Sequence, residues 1–175
     1  MTGKHREVRA RRVVTGLDEN GKSTIVSDDL TETRLAADAF TLNHLWKSLK
    51  VPDDCLQENA LGTEVLIPPP PAGFTYLIST FPPDSEWDFE AGYAGSLSAA
   101  GAAETFVEDE IPGLHETDTF DIVTIISGEV YAILESAETL LKAGDTIIQR
   151  GTKHSWSNRT DDIVTMTCIH FGATR

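Results

Sequence analysis

Residues 119–171 read TFDIVTIISGEVYAILESAETLLKAGDTIIQRGTKHSWSNRTDDIVTMTCIHF, and this stretch decides the fold. Residues 120–126 are apolar and β-branched, which suits a half-buried strand. Ser127-Gly128-Glu129 then turns the chain into a return strand over 130–134. Lys142-Ala143-Gly144-Asp145 is the next turn, followed by a strand over 146–149. Arg150-Gly151-Thr152-Lys153 leads into a strand over 154–158, and Arg159-Thr160-Asp161-Asp162 into a last strand over 163–171. Short strands punctuated by turns about every 8–12 residues predict an all-β sandwich or barrel, not a βαβ fold.

Upstream the pattern loosens. Residues 7–15 and 22–27 alternate around the turn Gly16-Leu17-Asp18-Glu19-Asn20-Gly21 and read as a β-hairpin. Residues 31–50 fit either a helical stripe or strand alternation; the expectation adopted is a short helical turn, then a strand over 39–47. Pro68-Pro69-Pro70-Pro71 lacks N–H donors and predicts a stiff extended connection rather than helix or central strand. An SH3-type ligand would need a longer run. Residues 74–81 read as a strand. Residues 82–114 hold eight acidic residues and no Lys or Arg. Gly92, Gly95 and Gly101 sit there among small residues, with Trp87, Phe89, Tyr93 and Phe106 interspersed. Long insertions of this kind are functional lids or mobile loops, and the four aromatics predict an ordered flap.

The chain has 175 residues, with 14 basic against 28 acidic side chains, a net charge of −14. The length suits one domain with a real core. The negative charge argues against nucleic-acid or anionic-membrane partners. No apolar run approaches the roughly 20 residues that span a bilayer. Residues 1–6 lack the apolar core of a signal peptide. Cys55 and Cys168 are far apart and form no CxxC pair. A reducing, cytoplasmic setting is expected.

Five histidines supply the candidate chemistry: His5, His44, His115, His154 and His170. His5 is expected to be idle near the terminus. Period-two alternation puts His154, Trp156 and Asn158 on one strand face. Asp121 follows His115 by six residues. Two imidazoles and a carboxylate are the ligand set of many divalent metal sites. His170, on the last strand, could line a barrel as acid or base. Arg150 could clamp a substrate carboxylate, and His44 and Trp46 could cover a barrel mouth.

Residues 113–158 resemble the cupin superfamily. The first motif is matched by His115-Glu-Thr117-Asp-Thr-Phe-Asp121, then six residues to Gly128-Glu129. The second is matched by Gly144-Asp145, an apolar run, Gly151-Thr-Lys-His154 and Asn158. Residues 7–48 also resemble the N-terminal part of an uncharacterised single-domain subgroup. The departures are Thr117 in place of the family's second histidine, Asp121 in place of its glutamate, and Gln149 in place of a proline. The resemblance implies a jelly-roll β-barrel over about 60–175, with 1–59 as an extension and 82–114 as an inserted lid. It implies a divalent metal (Zn, Fe, Mn or Ni) on His115, Asp121 and His154, or a metal-free pocket. Substrate contacts would come from Trp156, Asn158, Arg150 and Thr117, with His170 as the catalytic acid or base.

Three functions follow. The first is a metal-assisted, lyase-like enzyme (dehydratase, decarboxylase or cyclase) on a small organic substrate. The second is an Fe(II) dioxygenase, and the third a non-catalytic ligand-binding barrel. The acidic flap predicts a neutral or weakly acidic, partly aromatic ligand. The exposed sheet edge predicts a homodimer built partly from residues 7–48.

Overall fold

The structure is a computed structural model that describes residues 3–107 and 110–175. Eleven strands form three antiparallel sheets among the described residues. The first is a hairpin of β1 (Arg11–Leu17) and β2 (Ser23–Leu30), closed by a turn in which Asp18 accepts from the backbone N–H groups of Asn20 and Lys22. The expected hairpin is present, but its first strand begins at Arg11 rather than at residue 7. Residues Lys4–Glu7 instead form one 3₁₀ turn. His5, expected to be idle, is buried there, its Nε2 3.0 Å from the Ala37 carbonyl.

The main sheet runs β3-β4-β5-β11-β6-β9. Its members are β3 (Arg34–Ala36), β4 (Thr41–Ser48), β5 (Phe74–Phe81), β6 (Thr119–Ser127), β9 (Thr146–Arg150) and β11 (Val164–Gly172). A smaller sheet, ordered β10-β7-β8, comprises β7 (Glu129–Leu134), β8 (Glu138–Lys142) and β10 (His154–Ser157). Residues 34–36, expected in a helical turn, are strand β3. They pair with Thr41–Asn43 of β4, whose own ladder with β5 fixes an extended edge for them to join. The barrel sheet therefore begins at Arg34, not at residue 60. β8, which the sequence reading passed over, pairs with β7 along five residues.

The fold is all-β, with the main sheet and the smaller sheet sharing one apolar interior. Glycine makes its hairpins possible: Gly128 (φ 77°) joins β6 to β7, and Gly144 (φ 94°) joins β8 to β9. Both hold the left-handed conformation that L side chains rarely adopt. Alternation decides what faces inward. Val123 and Ile125 of β6, Val164, Met166 and Cys168 of β11, and Leu77 of β5 meet Val130 and Ala132 of β7 across the interior. Burying each large aliphatic chain stabilises by about 1.5–3 kcal/mol.

Residues 82–107 and 110–114 form a flap with its own short elements. It carries a 3₁₀ turn (Asp84–Glu86), helix α1 (Gly92–Ala99) and a second 3₁₀ turn (Ala103–Thr105). The expectation for residues 108 and 109 falls outside the described residues. Trp87, Phe89 and Tyr93 pack edge to face, with centroids 5.0–5.7 Å apart. Tyr93, Leu97, Ala100 and Ala102 join the barrel core itself. The flap is thus a wall of the interior, and excising it would open the core. No helix among the described residues is long and apolar enough to cross a membrane.

Candidate functional site

His115 lies outside the named strands, just before β6, yet two backbone hydrogen bonds fix it opposite His154. Each residue's N–H donates to the other's carbonyl at 3.0 Å. Directly opposed residues in an antiparallel bridge put their side chains on one face. Their rings accordingly lie 4.3 Å apart between centroids, inclined by 50°.

Backbone carbonyls then choose the tautomers. His115 Nδ1 lies 2.8 Å from the Gly113 carbonyl, and His154 Nδ1 lies 2.9 Å from that of Thr152. A carbonyl only accepts, so Nδ1 carries the proton and each neutral ring keeps a lone pair on Nε2. Burial pushes the His154 pKa down to about 3, with the neighbouring His115 adding to the effect. Burial likewise lowers His115, against the opposing Gly113 hydrogen bond. Both imidazoles are therefore neutral at ordinary pH.

His170 and Asp121 are cross-strand partners on β11 and β6. His170 Nδ1 is 3.3 Å from the Ile67 carbonyl. Half-buried His170 is the shared electrostatic neighbour of His44, His115, Asp121 and His154. Burial raises the Asp121 pKa, and His170 and the Thr119 hydroxyl pull it back. Asp121 Oδ1 is buried with no hydrogen-bond partner.

These groups meet in one cavity of about 60 Å³, counted by the positions open to the centre of a water molecule. At roughly 10–15 Å³ for one water centre, it holds a few waters or a small ligand. His115, Thr117, Asp121, His154 and His170 form its polar end, and aromatic and aliphatic side chains its walls. Trp156 stands beside His154, edge to face with centroids 6.1 Å apart. Thr117 reaches the cavity, but its hydroxyl is engaged with that of Thr119 at 2.7 Å.

Two expected contacts lie elsewhere. Arg150 is exposed on β9 and lines a separate surface hollow with Phe120 and Arg175. Its position opposite Phe120 in the β6–β9 ladder puts it on the outward face, one residue out of phase with Asp121. Asn158 is buried but structural: its Nδ2 donates to the Asp162 and Phe81 carbonyls, and its Oδ1 accepts from Thr160. Alternation fails there because β10 ends at Ser157.

The expected metal triad does not close either. Among the described residues, no three His, Cys, Asp or Glu side chains form a group that could hold a metal ion. The two free Nε2 atoms suit a divalent ion chemically. Asp121, a methylene shorter than the glutamate implied by the resemblance, has His170 rather than the imidazole pair as its electrostatic neighbour.

Sequence reasoning missed the role of Asp84, the hydrogen bond of the Tyr93 hydroxyl and the full burial of His44. Asp84 accepts from the Ser157 hydroxyl and the Asn158 N–H, clamping the flap's start to the end of β10. The Tyr93 hydroxyl donates to the Trp156 carbonyl at 2.5 Å. Phe106 bridges His115, so the flap's other end is tied at the site itself. An all-acidic segment placed directly before His115 was the available signal for such a tie.

No family model matches the chain. A 69-residue stretch is 36% identical to phomopsin biosynthesis cluster protein C' of Diaporthe leptostromiformis, covering 37% of this chain and 36% of that protein. A 48-residue stretch is 44% identical to oryzines biosynthesis cluster protein J of Aspergillus oryzae, covering 27% of each. The matches thus span about a third of those curated relatives or less. Among solved structures, the Cnp3 cupin domain of Schizosaccharomyces pombe overlays with a TM-score of 0.46 at 12% identity, over 95% of this chain and 84% of that one.

Two outcomes are expected. Gly113 has φ 71°, and a Cβ there would lie 2.3 Å from the Tyr93 ring. Gly113→Ala should therefore cost about 1–3 kcal/mol in urea unfolding; unchanged stability would show that the Tyr93 seat is loose. His44 is buried with Nε2 unpartnered, and burial, then His170 and Lys47, lower its pKa from 6.5 to about 4. Because the unfolded chain takes up this proton first, the contribution is intact above pH 6.5 and falls as pH drops toward 4. His44→Leu should flatten the acid limb of stability by up to about 1.4 kcal/mol per pH unit; an identical slope would contradict the burial effect.

Proposed function

We propose that the cavity is the active site of a biosynthetic enzyme acting on a small, largely apolar molecule by a lyase-type step. One observation carries the proposal: two imidazoles with bare Nε2 atoms, the His170 ring and a carboxylate oxygen without a partner line one otherwise largely apolar cavity. Perturbed titratable groups gathered in a cleft mark functional sites. The likeness of short stretches to proteins of the phomopsin and oryzines clusters supports a biosynthetic setting.

His170 is the proton carrier. Its Nε2 takes the proton from a carbon next to the leaving group. The C–H electron pair becomes the new double bond, and the leaving oxygen departs with its own pair. The same imidazolium then returns the proton to that oxygen, releasing water. General acid–base help of this kind is worth about 10²–10⁴-fold. The neutral His115 and His154 rings orient the substrate through their Nε2 lone pairs. The flap, seated through Tyr93 on the Trp156 carbonyl, keeps bulk water out while charge develops. Two imidazoles leave a divalent ion short of the three protein ligands usual in catalytic sites, so the proposal rests on the protein's own proton carriers.

The test is to incubate small-molecule extract of the source organism with wild-type protein and with His170→Asn, and compare the masses. A species converted by the wild type to a product lighter by one water, and untouched by the variant, is expected. No conversion, or equal conversion by both, would overturn the proposal.

A further inference from the structure

The polar end of the cavity is a set of acceptors. The rings of His115 and His154 donate through Nδ1 to backbone carbonyls and so present bare Nε2 atoms, and His170 lines the same end of the cavity. Asp121 adds a carboxylate oxygen that is more than nine-tenths buried and has no partner. No Lys or Arg lines the cavity, and Arg150 faces outward on β9. The donors that remain are neutral: the hydroxyls of Ser79 and Thr117, the latter already shared with Thr119, and the Trp156 indole.

An acceptor set without a Lys or Arg donor discriminates between head groups. A carboxylate or phosphate would bring its charge against Asp121 and the two Nε2 lone pairs of His115 and His154, with no Lys or Arg in the cavity to neutralise it. An ammonium would supply the N–H donors that these atoms lack, and charge-assisted bonds are roughly twice as strong as neutral ones. It would also relieve the cost of a buried polar atom left unpaired. The walls favour the same sign of charge. Phe40, Phe81 and Tyr93 line the cavity, and the faces of aromatic rings attract cations. The flap contains acidic residues and no Lys or Arg, and the net charge of the chain is −14. Both raise the local concentration of cations at the mouth.

We infer that the cavity selects a small amine: a protonated primary or secondary ammonium on a short apolar or aromatic body, held by Asp121 Oδ1 and the Nε2 atoms of His115 and His154. This rests on the cavity being the substrate site proposed above and names the class of substrate. It replaces the neutral or weakly acidic ligand that the flap's composition suggested, because the cavity's own atoms lack the donors an acid needs.

The test uses two probes with similar bodies and opposite heads, phenethylammonium and hydrocinnamate. Their binding to the full chain is measured by calorimetry with a chelator present, at about 0.15 M salt to screen the net charge. The ammonium should bind at least about tenfold more tightly than the carboxylate. Asp121→Asn, checked by near-UV circular dichroism for an intact fold, should erase that preference. Equal or tighter binding of hydrocinnamate to the wild type, which requires no variant, would overturn the inference. So would an unchanged preference in folded Asp121→Asn. If adding Zn²⁺ in place of the chelator displaces the ammonium and recruits hydrocinnamate, the acceptors serve a metal and the inference also fails. Binding and turnover fail separately: amine binding without conversion of any extract component removes only the enzyme, whereas conversion of an acid without amine binding removes only the amine.

Discussion

Two backbone hydrogen bonds, exchanged between His115 and His154, hold the site together. Without them His115 would sit on a connecting segment, free to turn its ring toward solvent. With them, the end of the flap and the first residue of β10 are locked face to face, and both imidazoles enter the interior. The carbonyls of Gly113 and Thr152 then accept hydrogen bonds from the Nδ1–H groups. A net gain of about 1 kcal/mol for each such bond is modest. Its effect on chemistry is larger, because it decides which nitrogen carries the lone pair.

The flap belongs to the same constraint. Its ends are fixed where β10 ends, through Asp84, and where His115 begins, through the Phe106 bridge. Between them Tyr93 and Leu97 are buried in the barrel core. This explains why all four residues of β10 are buried although a strand has only one inward face. His154 and Trp156 face the cavity, while Ser155 and Ser157 are covered from outside and donate to the Pro112 carbonyl and to Asp84.

Local chemistry made most of the barrel legible. The strand at Phe74–Phe81 and the turns at Gly128 and Gly144 follow from β-branched alternation and from left-handed glycine, both written in adjacent residues. β8 was harder, because Glu138–Lys142 alternates weakly and becomes a strand by pairing with β7. β3 is similar, since three residues become strand only through β4. For the site, His115, Asp121, His154, Trp156 and His170 could be picked from spacing and from the resemblance. Arg150 and Asn158 could not be rejected, because strand phase and strand end depend on partners far away in the chain. Asp84 and Tyr93 were hidden for the same reason: their partners lie more than sixty residues on.

The central claim is that the backbone makes His115 and His154 neutral Nδ1–H tautomers whose Nε2 lone pairs face the cavity. Long-range proton–nitrogen NMR of the ¹⁵N-labelled protein near neutral pH reads this directly. The account predicts two ring systems with a protonated Nδ1 and a bare, pyridine-like Nε2, assigned by the loss of one in each His→Asn variant. Rings protonated at Nε2 alone, or at both nitrogens, would contradict it.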